Sequence, residues 1–300
     1  MKDDKGIVLI VAISMLSLVF SLVLISNYVM KREADNEARY HLTLQRLQEV
    51  KRALFGKLAD IYIGDEITSC GGFFSDFGTP YRIGEGTVDN DPLKTGNFLD
   101  VLVRGKDVTD PEGPNWQRWH FDEDKGFSAG YRGEGYLVPP PGYDTFVDAW
   151  GSPIKVTVLG CGAQITIESL GSDGKPGGEG YEKDISLRIY PWLTTRFYVT
   201  VTNKTDEDVN LDVELIYPRY GEVQIRNSES GAQLINRDGG EATFEFLFEC
   251  KMEAVAPGLR KIVVRDADTN EVKLIKNICV PFPSGDCEST SYAVSIDYEG

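Results

Sequence analysis

The sequence predicts an α+β fold in which a long N-terminal helix packs on a small antiparallel sheet, and an all-β sandwich follows. Three observations lead to this prediction. Residues 7–30 form an uninterrupted apolar run, residues 31–63 keep a helical spacing of apolar side chains, and the chain beyond residue 147 alternates in short runs between turn residues. A length of 300 residues is sufficient for roughly two domains and an appendage.

The composition argues against nucleic-acid binding and against most catalytic chemistry. The chain carries 47 Asp and Glu residues against 31 Lys and Arg residues, and its formal net charge of -16 repels phosphate backbones. Its two histidines, His41 and His120, leave little material for acid–base catalysis or zinc sites. No motif indicates a hydrolase built on Asp and Glu pairs. We therefore expect no nucleic-acid partner and no enzyme activity.

The N-terminal apolar run predicts a transmembrane helix. Ile7 to Met30 contains no charged residue and is long enough, at about 1.5 Å per residue, to cross a hydrocarbon core of about 30 Å. A cleaved secretory signal is the alternative, but its apolar region is usually shorter and ends in small residues, whereas this one continues into Lys31 and Arg32.

The helical pattern continues beyond the membrane, from Lys31 to Ile63. This stretch has no proline and one glycine, Gly56, and charged residues fill the rest of its surface. Its apolar stripe needs a globular partner to cover it. A coiled-coil membrane anchor is the alternative, although the heptad pattern breaks at Lys51. The predicted stripe consists of Tyr40, Leu44, Leu47, Val50, Leu54, Leu58 and Ile61.

The short charged leader MKDDKG followed by this helix resembles the prepilin arrangement of type IV pilins and type II secretion pseudopilins. The resemblance implies that a prepilin peptidase cuts after Gly6 and that Ile7 is then methylated. It also implies a single-pass protein of the bacterial inner membrane, with its bulk in the periplasm or in a filament, that assembles with other pilin-type subunits through the helix. Those relatives usually carry Glu at the fifth mature position, where this chain has Val11. An uncharged fifth residue is similar to the tip-type minor pseudopilin, so we expect a minor or tip position.

A β-hairpin is predicted after residue 147. Two β-branched runs, centred on Val156 and Ile165, flank the glycines Gly160 and Gly162. Before them, Trp150 stands beside a tight Gly–Ser–Pro turn, which makes it a suitable side chain to pack on the helix stripe near Ile61.

The stretch ESLGSDGKPGGEGYEKDIS, residues 168–186, is either a slack linker or a loop folded around a cation. The order DAWGSP, two strands, glycine-rich loop and DI resembles the C-terminal part of the major pseudopilin of type II secretion. That resemblance implies a calcium ion in the loop, and oxygen ligands on a glycine-rich backbone suit a hard cation. Carboxylates would come from Asp173 and Asp184, a hydroxyl from Ser172, and carbonyls from Leu170 and Lys175.

The five cysteines contain no CxxC pair, so metal-binding spacing is absent. In an exported protein, Cys70 with Cys161 and Cys279 with Cys287 are candidate disulfides, which leaves one thiol over. The alternative for each cysteine is a small buried side chain.

The C-terminal segment predicts about seven short strands separated by turns, which is typical of an immunoglobulin-like sandwich. Phe244, Phe246 and Phe248 are expected to face inward, with acidic side chains facing solvent. The predicted runs are Arg196 to Thr202, Val209 to Tyr217, Val223 to Arg226, Ala242 to Phe248, Lys261 to Arg265, Val272 to Val280 and Tyr292 to Tyr298.

The predicted domain map has a leader at 1–6, a transmembrane half at 7–30, a pilin-like domain at 31–186 and a sandwich at 187–300. The resulting prediction is a structural subunit of a type IV pilus or type II secretion pseudopilus with a calcium-stabilised loop. The alternative is a single-pass anchored adhesin or carbohydrate-binding module, whose sandwich binds the ligand and whose helix only displays it.

Overall fold

The computed structural model describes most of the helix, the sheets and the turns between them. Helix α1 spans Asp4–Phe55, and its side chains are described from residue 12 onward. The described residues are 4–56, 61–63, 66–69, 72–78, 99, 102–103, 120–130, 135–159, 164–189, 196–219, 221–248, 255–280 and 291–300.

The first half of α1 is exposed and apolar. Large hydrophobic side chains from Ile13 to Met30 are 46% to 73% exposed, and no other described part of the chain covers them. The segment Ala12–Phe55 contains a window with mean hydropathy 2.0, so the helix is long and apolar enough to cross a membrane. This half of the helix is therefore left for lipid or for other helices.

The second half of α1 buries the described part of the predicted stripe except at Leu44, while Leu58 lies outside the described residues. Leu47, Val50 and Leu54 are buried as predicted, but Leu44 is 37% exposed and Thr43 is fully buried in its place. Thr43, Leu47, Val50 and Leu54 follow the i, i+4, i+7, i+11 spacing of one helix face. The Thr43 hydroxyl accepts a hydrogen bond from the Ala149 backbone N–H at 3.1 Å, so a polar side chain is tolerated inside.

The helix ends earlier than the sequence pattern predicts. It stops at Phe55 instead of continuing to Ile63, because Gly56 adopts a left-handed conformation with φ of 84°. The Gly56 N–H donates to the Arg52 carbonyl at 2.6 Å and closes the last turn. Residues Ile61–Ile63 instead form strand β1, which pairs antiparallel with β2 at Glu66–Ser69.

Helix α1 packs on a small antiparallel sheet, as predicted. The predicted hairpin forms β5 (Lys155–Leu159) and β6 (Gln164–Ser169), and β7 (Ile185–Ile189) adds to β6. A short buried helix, α2, spans Phe73–Phe77. The name helix–sheet unit is used for three elements together: α1 from residue 40 onward, α2 and this sheet. The hairpin of β3 (His120–Asp122) and β4 (Phe127–Ala129) lies between this unit and the following strands.

The described residues from 196 onward form a two-layered β-sandwich, which confirms the predicted architecture. One layer has the order β10-β9-β13-β14 with β11 also on β9, and the other has the order β12-β8-β15. Strand β15 runs parallel to β8, whereas the other pairs in the sandwich are antiparallel. The strands are β8 Arg196–Asn203, β9 Val209–Arg219, β10 Glu222–Asn227, β11 Gln233–Ile235, β12 Glu241–Leu247, β13 Gly258–Asp266, β14 Val272–Val280 and β15 Ser291–Tyr298.

The sandwich core consists of the alternating side chains that the sequence indicates. Phe244 and Phe246 are fully buried and Phe248 nearly so. Phe246 meets Phe197 of the neighbouring strand edge to face, with ring centroids 6.1 Å apart. Strand β7 crosses the predicted boundary between residues 186 and 187, and it pairs with β6 of the helix–sheet unit. The domain boundaries themselves stay a prediction.

The corrected helix face predicts unequal effects of two leucine substitutions. Leu54→Ala is expected to lower the free energy of unfolding by about 3 kcal/mol, because it leaves a cavity in a fully packed core. Leu44→Ala should lower it by less than about 1 kcal/mol, because the side chain already meets solvent. Denaturant unfolding of the detergent-solubilised chain measures both. Equal losses of unfolding free energy would show that Leu44 is buried, as the apolar spacing predicts.

Candidate functional site

The glycine-rich loop between β6 and β7 closes on itself through its backbone. The Ser172 N–H donates to the Tyr181 carbonyl at 2.8 Å, and the Asp184 N–H donates to the Gly177 carbonyl at 3.1 Å. A 3₁₀ turn at Gly180–Glu182 lies between these contacts. The loop is therefore a folded ring of backbone and not an extended linker.

Two glycines allow the two sides of this ring to approach each other. Gly171 and Gly178 have φ of 71° and 86°, in the left-handed region. A Cβ atom at Gly171 would lie 2.6 Å from the Glu182 carbonyl oxygen, and one at Gly178 would lie 2.5 Å from the same atom. No side chain fits at either position without moving the backbone. The predicted need for glycine in this loop thus has a steric cause.

The two carboxylates predicted as calcium ligands lie in this ring. Oδ1 of Asp173 accepts a hydrogen bond from the Lys175 N–H at 3.0 Å, and Oδ2 of Asp184 accepts one from the Gly177 N–H at 2.9 Å. The other oxygen of Asp184, Oδ1, is buried and has no hydrogen-bond partner among the described residues. A buried carboxylate oxygen without a partner is costly, and a cation is one group that satisfies it.

The remaining predicted ligands lie on the same ring at different depths. Leu170 and Ser172 are half-buried, whereas Lys175 is exposed. No group of three or more His, Cys, Asp or Glu side chains suited to a metal occurs within the part of the chain that the structure describes. A cation here would depend on backbone carbonyls and the Ser172 hydroxyl in addition to two carboxylates, which is within the ligand chemistry of Ca²⁺.

The buried carboxylate of Asp148 connects the loop to the tight turn before β5. The backbone N–H groups of Trp150 and Ser152 both donate to Asp148 Oδ1 at 2.9 Å. The Ser169 hydroxyl donates to Asp148 Oδ2 at 2.6 Å and accepts the Gly171 N–H at 3.3 Å. The first residues of the loop are thus hydrogen-bonded, through one serine, to the turn.

Helix α1 holds the other side of the same turn. Arg46 donates from Nη1 to the carbonyls of Val147 and Asp148, at 3.1 and 2.6 Å. The Ala149 N–H donates to Thr43 one turn earlier on the helix. A continuous set of hydrogen bonds therefore runs from the amphipathic half of the helix through the turn to the loop.

The loop also touches the helix directly. The rings of Tyr181 and Tyr40 meet edge to face with centroids 6.4 Å apart. Tyr40 belongs to the predicted apolar stripe, and it packs at the edge of the core. This contact orients the loop beside the point where the helix enters the folded part of the chain.

Sequence reasoning missed the polar residues that hold the site together. Asp148, Ser169, Arg46 and Thr43 were not among the predicted site residues. An Asp placed just before a Gly–Ser–Pro turn is a signal for a side chain that caps the turn backbone, so Asp148 was within reach of sequence reasoning. Trp150 packs at the edge of the core, and the predicted contact with Ile61 lies outside the described side chains.

The other predicted site residues are only partly described. Cys279 is disulfide-bonded, while Cys70, Cys161 and Cys287 lie outside the described residues. The predicted pairings therefore stay predictions. Gly6 and Ile7, the predicted processing site, lie within the backbone of α1.

Comparison with protein families identifies the matched part of the chain. Residues 123–188 match the family described as type II secretion system (T2SS), protein G, which is a structural component of secretion and not an enzyme family. The match begins in the β3–β4 hairpin and includes the Asp148 turn, the three-stranded sheet and the glycine-rich loop. It covers well under half of the chain, and α1 and the sandwich lie outside it. No curated protein and no solved structure matches.

The contacts of Asp148 predict that its carboxylate is required for the fold of the matched segment. Asp148→Ala leaves the partly buried N–H groups of Trp150 and Ser152 and the buried Ser169 hydroxyl without their acceptor, so we expect a loss of about 3 kcal/mol in unfolding free energy. Asp144→Ala, at an exposed position four residues earlier, should change it by less than about 0.5 kcal/mol. Thermal and denaturant unfolding followed by circular dichroism compare the two. Equal stability would show that the carboxylate is dispensable.

Proposed function

We propose that this chain is a structural subunit of a type II secretion pseudopilus, or of a related type IV pilus, assembled through α1. One observation carries the proposal: the segment that matches the secretion family packs directly on a helix whose other half is apolar and uncovered. A folded domain on the outer half and a bare apolar inner half is the arrangement that a helical filament requires, because the inner halves can pack against one another.

The bare half of α1 has two successive environments in this proposal. Before assembly it lies in the bacterial inner membrane, with the rest of the chain in the periplasm. After a prepilin peptidase cuts behind Gly6, helices of neighbouring subunits replace the lipid. Each Leu, Ile or Val side chain kept from water contributes about 1.5 to 3 kcal/mol in either environment, so transfer from lipid to filament needs no exposure to water.

Val11 favours a minor or tip position within the filament. A carboxylate at the fifth mature position would pair with the N-terminal amine of a neighbouring subunit inside an apolar core, where an unpaired charge is costly. The valine of this chain offers no such partner. A subunit that starts the filament has no need to neutralise a subunit above it, so the tip position fits this residue.

Calcium is the ion that we propose for the glycine-rich loop. The buried and unpartnered Oδ1 of Asp184 supports it, together with Asp173, the Ser172 hydroxyl and the carbonyls of Leu170 and Lys175 on the same ring. A bound Ca²⁺ supplies positive charge and no chemical step. The residues of the loop hold the ring against Tyr40 of the helix, and the role is structural.

Processing of the leader tests the proposed function. Co-expression with a prepilin peptidase should give a mature chain that begins at Ile7 with a methylated amine, as read by mass spectrometry of the N-terminal peptide. Gly6→Leu should block the cut, and Lys5→Ala is the matched control that should leave it intact. A mature chain that still begins at Met1 would favour the anchored adhesin or carbohydrate-binding module instead.

Calcium removal should loosen the glycine-rich loop. With Ca²⁺ present, cleavage after Glu179 and Glu182 by a Glu-specific protease should be roughly tenfold slower than in EGTA, because the ion binds only the folded ring. Asp184→Asn should abolish the difference, and Asp144→Asn, outside the loop, should preserve it. Cleavage at the same rate with and without EGTA in the unsubstituted chain would refute the calcium site and leave the pseudopilus proposal standing.

A further inference from the structure

Helix α2 lies at the junction between the helix–sheet unit and the sandwich, and all its residues are buried. On one side its rings belong to the core of the helix–sheet unit. Phe74 packs against Phe55 of α1 with ring centroids 5.1 Å apart, and Phe73 meets Tyr136 edge to face at 5.8 Å. Helix α2 is therefore an internal element of the first unit and not part of a linker.

The sandwich binds the same short helix near its middle through β13. The Leu259 N–H donates to the Ser75 hydroxyl at 3.0 Å. Gly258 precedes it with φ of 127°, and a Cβ atom there would lie 2.3 Å from Ser75 Cβ. The approach of the two backbones is possible only because this residue is glycine. Ala256, just before β13, is itself part of the core of the helix–sheet unit.

The turn between β9 and β10 binds the C-terminal end of α2. The Gly221 N–H donates to the Phe77 carbonyl at 2.7 Å, which satisfies one of the open carbonyls of the helix end. Gly78 follows with φ of 82°, and a Cβ atom there would lie 2.5 Å from the Pro218 carbonyl oxygen. One turn and one strand start of the sandwich thus enclose a helix of the other unit.

Arg260 closes the junction from the sandwich side. Its guanidinium is fully buried and donates to the carbonyls of Ser75 and Pro257, at 3.1 and 3.2 Å, and also to those of Ala256 and Leu259. Burial lowers the pKa of Arg260 to about 9, against the opposing effect of the nearby Asp76 carboxylate. The side chain therefore keeps its charge at neutral pH. Opening the junction would separate this charge from the Ser75 carbonyl that it binds.

The β3–β4 hairpin, which lies between the two units, packs on the sandwich. Phe127 and Ala129 pack on Ile216, Val223 and Val263, on the outer face of the β10-β9-β13-β14 layer. Two lysine side chains also form hydrogen bonds across this contact. Lys125 Nζ donates to the Val223 carbonyl at 3.0 Å, and Lys261 Nζ donates to the Gly126 carbonyl.

We propose that the sandwich is held in one fixed orientation relative to α1 because α2, a core element of the helix–sheet unit, is also bound by β13 and by the β9–β10 turn of the sandwich. The sandwich is then not a hinged appendage, as a boundary near residue 187 would imply. Because one layer carries the hairpin on its outer face, the outer face of the other layer, β12-β8-β15, is presented on the far side of the molecule. A load or a partner on that face acts on the helix without an intervening hinge. This inference rests on the contacts at α2 and holds whether or not the chain is a pilus subunit.

Distance measurements between the two units test this inference. Leu42 on α1 and Leu234 on β11 are both exposed, so each position can carry a spin-labelled p-acetylphenylalanine without disturbing a core or the cysteines. Pulsed electron–electron double resonance on the detergent-solubilised full chain should give one narrow distribution of the distance between the two labels. A broad or bimodal distribution in the chain with no other substitution would overturn the proposal.

A pair of glycine substitutions assigns the rigidity to the junction. Gly258→Ala forces the clash with Ser75 and should broaden the distance distribution while circular dichroism keeps its strand signal. Gly231→Ala is the matched control, because its φ of 63° is also positive but no atom lies within 4 Å of the added Cβ. It should leave the distribution unchanged. A narrow distribution in both variants would show that α2 does not hold the units together. Hydrogen exchange of the backbone amides of residues 73–77 is an independent measurement. Faster exchange is expected only in Gly258→Ala.

Discussion

Asp148 joins a helix, a turn and a loop through its side chain and its backbone carbonyl. Its carboxylate accepts hydrogen bonds from the turn before β5 and from Ser169 at the end of β6, while Arg46 of α1 holds the carbonyls of the same turn. Helix, turn and loop are therefore held together by one set of hydrogen bonds around a buried carboxylate. The ring of the glycine-rich loop starts from this point, because the Gly171 N–H donates to the Ser169 hydroxyl.

At the junction at α2 the buried charged group is a cation, and it too is held by hydrogen bonds. Arg260 is buried among carbonyls, and those carbonyls come from α2 and from the segment that leads into β13. Glycine at residue 258 removes the side chain that would separate the two backbones. The start of β13 and the short helix α2 are therefore packed as one element, although they are about 180 residues apart in sequence. A pseudopilus subunit with such a junction would carry its sandwich as a rigid head.

Some errors of the sequence-based prediction have local physical causes. Leu44 was assigned to the buried stripe because it is apolar and well spaced, but Thr43 takes the inner position, since its hydroxyl finds a donor in the Asp148 turn. The helix was extended to Ile63 because one glycine is tolerated in a helix. Gly56 instead adopts a left-handed conformation and ends it. The first outcome depends on a contact about 100 residues away and the second on the backbone conformation of a single glycine, and periodicity detects neither.

By itself, the sequence determined the exposed apolar half of α1, the hairpin of β5 and β6, and the alternating core of the sandwich around Phe244 and Phe246. These features follow from short-range periodicity, because burial on one face repeats every 3.6 residues in a helix and every two residues in a strand. Only the tertiary structure decided the roles of Asp148 and Arg260 and the enclosure of α2. Asp148 and Arg260 are polar and buried, and a buried polar side chain is stable only where other parts of the chain supply its hydrogen-bond partners. Their roles therefore become evident only when those parts are brought together in the fold.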